Sequence, residues 1–178
     1  MKLQRMLSLI LVLICAINFA VPASASAITT HSEKAEAYVI TNPIEFETGD
    51  VLNGNLRSVS KPKKYWSLQG DGEYSATLTQ VGSSKLYTNY YFKSNDNGIM
   101  HVTFNVRAEG NATFRVGIYN ITDNYDATHR DFAVDTTGLA DEVIFTNMDT
   151  NDNYAVYFQS VYNGYNVVYI TGSGLVSA

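Results

Sequence analysis

Residues 100–121 read MHVTFNVR-AEGNA-TFRVGIYNI, and this stretch decides the fold. In the first run Met100, Val102, Phe104 and Val106 alternate with His101, Thr103, Asn105 and Arg107. In the second, Phe114, Val116 and Ile118 alternate with Thr113, Arg115, Gly117 and Tyr119. Successive side chains of a strand point to opposite faces, so each run is a strand with one apolar and one polar face. Glu109-Gly110-Asn111 lies between them, and Gly and Asn tolerate the positive φ of a tight reversal. The reading is a β-hairpin with one buried face.

The same alternation extends outward in both directions. Upstream, Ile44, Phe46 and Thr48 alternate with Glu45 and Glu47, and Tyr74, Ala76 and Leu78 alternate with Ser75, Thr77 and Thr79. In Leu86–Phe92 the side chains of Leu86, Thr88, Tyr90 and Phe92 face one way and those of Tyr87, Asn89 and Tyr91 the other. Downstream, Tyr154, Val156 and Phe158 alternate with Ala155, Tyr157 and Gln159; Asn163-Gly164 forms a turn, and Asn166–Thr171 reads as the last strand. Thr122–Leu139 shows no period and reads as a long loop. Short strands separated by Gly, Asn and Asp turns predict an all-β fold, an antiparallel two-sheet β-sandwich of jelly-roll type. Its expected core includes Trp66, Leu78, Val102, Phe104, Val106, Phe114, Val116, Ile118, Val156 and Phe158.

The chain opens with Lys2 and Arg5, then an apolar run from Met6 to Ala20, Pro22, and two overlapping A-x-A sites, Ala23-Ser24-Ala25 and Ala25-Ser26-Ala27. This is the pattern of a cleaved secretory signal peptide. A spanning helix needs about 20 apolar residues, more than this run supplies. Ile14 stands before Cys15 where a lipoprotein signal carries a small residue. The expected organisation is a signal peptide over residues 1–27, a mobile leader over 28–37, and one domain over 38–178. The product is expected to be extracellular and released, since the Gly-Ser-Gly-Leu-Val-Ser-Ala end has no sorting motif or apolar tail.

Cys15 is the only cysteine and leaves with the signal, so the mature chain is predicted to have no disulfide and no thiol chemistry. Without Lys2 and Arg5 the 12 basic residues fall to 10 against 17 acidic, a net charge of 10 − 17 = −7. Such a surface argues against nucleic acid as a partner, and no membrane association is expected after cleavage. Lys61, Lys63 and Lys64, the densest basic cluster, read as a solvated turn.

No Gly-x-Ser-x-Gly elbow occurs, and His31, His101 and His129 have no metal-ligand spacing. The clearest strands, Met100–Arg107, Phe114–Ile121, Tyr154–Tyr162 and Asn166–Thr171, carry no Asp or Glu for a glycanase pair. A non-enzymatic role without cofactor is therefore expected. Asp149, Asn151, Asp152 and Asn153 could offer oxygen ligands to calcium, but the loop lacks the EF-hand order and reads as turn chemistry without metal. Asn111-Ala112-Thr113 and Asn120-Ile121-Thr122 are glycosylation sequons.

Thirteen tyrosines against one tryptophan are the chemical signature of the chain. Tyrosine joins a flat apolar ring to a polar tip, suited both to half-buried sheet positions and to stacking on sugars or peptides. Tyr87, Tyr91, Tyr119 and Tyr157 fall opposite core residues, and Tyr162 and Tyr165 flank the Asn163-Gly164 turn. These six are the candidate ligand-binding residues. The competing reading makes them ordinary strand formers with cross-strand partners.

Gly98–Gly174 resembles the secreted bacterial β-sandwich modules of the pre-peptidase C-terminal and carbohydrate-binding type, through VTFNVRAEGNATFRVGIYN (102–120) and NDNYAVYFQSVYNGYNVVYITGSG (151–174). The resemblance implies a module that binds polysaccharide or protein fibres. The calcium ligands such modules often use find no matching motif at the start of this domain. Two functions are expected from this reading. One is a secreted non-catalytic module for cell-wall or extracellular polysaccharide. The other is a matrix component or toxin-like secreted factor that binds a secreted protein through its tyrosine-rich face.

Overall fold

The computed structural model describes residues 35–40, 55–56, 59–162, 164 and 166–178, with backbone only for 38–40 and 55–56. The expected signal peptide, the strand expected at Ile44–Thr48, Asn163 and Tyr165 lie outside the described residues. The chain forms an all-β sandwich of two sheets. The larger is ordered β1-β10-β7-β12-β4-β2, namely Glu36–Ile40, Leu139–Thr146, Met100–Ala108, Ile170–Ser177, Tyr74–Val81 and Asn55–Leu56. The smaller is β5-β11-β8-β9, namely Leu86–Tyr87, Tyr154–Val161, Ala112–Asn120 and Tyr125–Val134. A short ribbon of β3 (Lys64–Tyr65) and β6 (Tyr90–Tyr91) runs beside the β5 edge. Pairing is antiparallel except for β2 with β4 and β3 with β6.

The alternation of 100–121 is reproduced, but its two strands do not form a hairpin. β7 lies in the larger sheet and β8 in the smaller, so Glu109-Gly110-Asn111 arches from one sheet to the other. Both patterns bury one apolar face. In the arch those faces meet directly, with the Phe104 and Phe114 rings edge-on at 5.2 Å and Phe104 and Phe132 at 4.8 Å. Phe114 then stacks parallel on Phe158 of β11 at 5.9 Å. Met100, Val102, Phe104, Val106, Phe114, Val116, Ile118, Val156 and Phe158 are all buried in this layer. Trp66, expected among them, sits half-buried at its rim, edge-on to Tyr74 and Tyr90, with its indole N–H donating to the Gly72 carbonyl at 2.9 Å.

Two expectations about the second half are corrected. Thr122–Leu139 contains β9, ten residues paired along the length of β8. A register shift between Ile118 and Tyr119 places an extra residue in β9, which breaks its alternation, and its outer face is charged; both features hide a strand from pattern reading. The last strand is not Asn166–Thr171 but Ile170–Ser177, in the interior of the larger sheet between β7 and β4. Its Gly-Ser-Gly looks like a tail, yet the glycines are what admit it. A Cβ at Gly172 would come within 2.1 Å of the Asn105 carbonyl oxygen, and one at Gly174 within 2.9 Å of the Phe158 ring. At the other end, Glu36 and Ala37, expected in the leader, already pair with Thr146 and Phe145, and Ala37 is buried.

A tyrosine-bearing face as candidate binding surface

The outward side of the smaller sheet is built in cross-strand rows. Tyr87, Tyr157, Gly117 and His129 stand side by side across β5, β11, β8 and β9. Ala155, Tyr119 and Asp126 form the row on one side, and Gln159, Arg115 and Asp131 the row on the other. Tyr87, Tyr119 and Tyr157 thus occupy the face opposite the core, as their positions predict. Their exposure differs from expectation. Tyr87 is 6% exposed, Tyr119 7% and Tyr157 1%, so all three are closed to a ligand as they stand.

The reason is local packing. Gly117 leaves a trough in β8 in which the Tyr157 ring lies; a Cβ there would meet ring atoms at 2.3 Å. Tyr87 packs edge-on against Tyr157 at 5.9 Å and against Tyr119 at 6.0 Å. Two lysines close the cluster from above. The Lys61 ammonium stands 3.9 Å from the Tyr119 ring centre and donates to the Tyr119 hydroxyl at 2.6 Å and to the Asn124 Oδ1 at 2.7 Å. The Lys85 ammonium stands 4.6 Å from the Tyr157 ring centre and is ion-paired to Asp126. Each ring gains from a cation over its negative face. Lys61 is therefore anchored, not a freely solvated turn residue. Burial, followed by the nearby Asp126, pushes the Tyr87 hydroxyl up to about 12 and raises that of Tyr157 as well, so both are held neutral.

Around this cluster the face is polar. Arg115 makes a bidentate pair with Asp131, Nε to Oδ1 at 2.7 Å and a terminal nitrogen to Oδ2 at 2.8 Å. That hydrogen bonding raises the guanidinium and lowers the Asp131 carboxyl against the opposing effect of its desolvation. His129, one row away, is lowered first by burial and then by Arg115. Gln159 donates to the Ser83 carbonyl at 2.6 Å, while its Oε1 is buried and unpartnered among the described residues. The His129-Arg130-Asp131 triplet is strand, not loop. Its outer members join this face, and Arg130 donates to the Ala37 carbonyl of β1.

Tyr65, Tyr125, Tyr162 and Tyr169 are exposed, and of these Tyr65 forms a ring pair, with Tyr91 on the β3–β6 ribbon. Tyr91 precedes the inward-facing, fully buried Phe92, so strand alternation turns it to the outer side. There it is half-exposed and meets Tyr65, 47% exposed, at a ring separation of 5.6 Å and a tilt of 40°. Of the five candidate tyrosines among the described residues, Tyr91 alone is brought to an open aromatic pair. Its partner Tyr65 was not singled out from sequence, because the parallel pairing of two-residue strands leaves no periodic signal. Tyr162 is 57% exposed just beyond β11 and has no ring partner among the described residues. A shallow cleft of about 330 Å³ at Arg107, Ala108, Glu109, Thr136 and Thr171 contains no aromatic ring.

The loop considered for calcium is held by hydrogen bonds within itself and to Asn120 and Thr122. The Asp149 carboxylate accepts from the Asn151 backbone N–H at 2.8 Å, and Asp152 accepts from the Asn120 amide at 2.7 Å. The Asn153 N–H donates to the Thr122 hydroxyl at 2.9 Å. Chelation is expected to leave the melting temperature unchanged. A ligand bound only by the native state at 100 times its dissociation constant adds about 2.7 kcal/mol. A calcium-dependent rise in a thermal melt, abolished by Asp149→Ala with Asp152→Ala, would contradict this. The same network buries Asn120 completely, which closes that sequon to a glycan, whereas Asn111 is exposed.

No known protein-family profile matches the chain. No curated protein matches it either. Among solved structures it is similar to one described as "CBM4 structure and function", at 12% identity over 60% of this chain and 66% of that one, with a TM-score of 0.38. It is also similar to "BiXyn10A CBM1 APO", at 16% identity over 61% and 74% of the two chains, with a TM-score of 0.35. The chain spans 66% of the length of the first of these.

Proposed function

We propose that this protein is a secreted, non-catalytic module that binds cell-wall or extracellular polysaccharide on the outer side of its smaller sheet. The observation that carries the reading is the Tyr65–Tyr91 pair, an exposed and a half-exposed ring side by side on the β3–β6 ribbon. An aromatic face stacks on the apolar face of a pyranose ring, and the hydroxyl at its tip remains free to hydrogen-bond. The closed Tyr87–Tyr119–Tyr157 cluster occupies the outer face of the same sheet, and the lysines seated on it add ammonium groups to that face. Among the described residues, the carboxyls of Asp131 and Asp135 are both lowered, by the Arg115 pair and by the Thr137 turn hydrogen bonds. Export is supported by the signal-type pattern of Met1–Ala27.

The test is retention of the full chain on a panel of purified insoluble and soluble polysaccharides. Retention on at least one of them, without release of reducing sugar, is the expected result. Retention on secreted proteins alone would favour the fibre- or protein-binding alternative. Loss of retention on every polymer would overturn the proposal.

A further inference from the structure

The charge of the chain is unevenly placed. Of the ten basic residues beyond Ala27, five, namely Lys61, Lys63, Lys64, Lys85 and Lys93, fall between residues 61 and 93, against only Asp71 and Glu73, a local balance of 5 − 2 = +3. This segment is the one that supplies the ribbon and the edge of the smaller sheet. Lys85 is spent on Asp126, and Lys61 is fixed by a hydroxyl and an amide. Lys63, Lys64 and Lys93 are exposed and have no side-chain ion pair or hydrogen bond among the described residues; Lys64, in register with Tyr90, is one residue out of step with the two rings.

Their placement relative to the aromatic pair is specific. Lys63 lies two residues before Tyr65, and Lys93 two residues after Tyr91. In an extended chain a spacing of two returns side chains to the same side. The register Tyr65↔Tyr91 between parallel strands then puts the two lysines at opposite ends of the ring pair. Two unpartnered cations thus bracket an exposed and a half-exposed ring on a protein that is otherwise strongly acidic. A neutral glycan would leave both charges without a role, whereas a chain carrying carboxylates would pair with each while its rings rest on the tyrosines.

We infer that the polysaccharide taken by this surface is acidic, a uronate-bearing chain whose carboxylates meet Lys63 and Lys93 on either side of Tyr65 and Tyr91. This rests on the polysaccharide reading above and narrows it. Because the cations are exposed, the preference falls as salt screens them.

The experiment is affinity electrophoresis of the full chain in polygalacturonate, in the same polymer with its carboxyls methyl-esterified, and in polyglutamate. The expected result is at least tenfold tighter binding to polygalacturonate than to its ester at low salt. That preference should shrink as sodium chloride is added and disappear in the Lys63→Gln, Lys93→Gln double variant, which still binds the ester. Equal binding of acid and ester overturns the inference and leaves the Tyr65–Tyr91 reading standing. Persistence of the preference in the double variant, or equal binding to polyglutamate, also overturns it. Failure to bind these or any neutral polysaccharide removes the inference together with the reading beneath it.

Discussion

Phe104→Ala is expected to destabilise the sandwich by about 3–5 kcal/mol, through lost burial and the cavity left behind. Phe104 is fully buried on β7 and is the ring at which three strands meet. It touches Phe114 and Phe132 of the opposite sheet edge-on, while Gly174 pairs beside it on β12. A residue of the other sheet cannot move in to fill the space, because Phe114 is itself held against Phe158. For a chain of this size a loss of that magnitude lowers the melting temperature by about 6–20 °C. A calorimetric melt matching the parent would place Phe104 outside the inter-sheet layer and contradict the arch between β7 and β8.

Tyr157→Ala is expected to cost about 3 kcal/mol, even though its side chain projects from the face opposite the core. The ring fills the trough above Gly117, packs edge-on to Tyr87 and lies under the Lys85 ammonium. Truncation removes all three contacts and leaves Lys85 over a void. Tyr157→Phe should restore nearly all the stability, since no hydrogen bond of the hydroxyl is present among the described residues. Urea unfolding of the pair of variants tests this. Equal stability of Tyr157→Ala and the parent would mean that the ring is open to solvent and available to a ligand, as its sequence position alone suggests.

That contrast marks how far the sequence was legible. Period-two alternation identified the inward residues of β4, β7, β8 and β11, because facing the core imposes apolarity on every second position. It was silent on whether neighbouring strands pair by their edges or by their faces, so β7 and β8 read as a hairpin although they lie in different sheets. β9 was missed because its extra residue shifts the phase and its outer side chains are charged. β12 was missed because close approach to Asn105 and Phe158 demands glycine where a strand reader expects bulk.

The candidate site was legible to the same degree. The face of each tyrosine follows from its parity, but its exposure depends on what distant segments lay over it. Lys61 reaches Tyr119 across 58 positions, a contact no local pattern contains. Of the lysines read as solvent-facing, Lys61 is part of the cover, whereas Lys63 and Lys64 are exposed. Tyr65 owes its place to a parallel pairing with Tyr91 that spans two residues, and no periodicity announces it.

The binding account stands on Tyr65 and Tyr91. The most direct test is the affinity of Tyr65→Ala and Tyr91→Ala for whichever purified polysaccharide retains the parent, measured alongside their thermal melts. Aromatic hot spots commonly contribute more than 2 kcal/mol on truncation. Each variant is therefore predicted to bind at least tenfold more weakly, and both rings are exposed enough to leave the melting temperature within a few degrees of the parent. Variants that fold normally and bind as tightly as the parent would contradict the account.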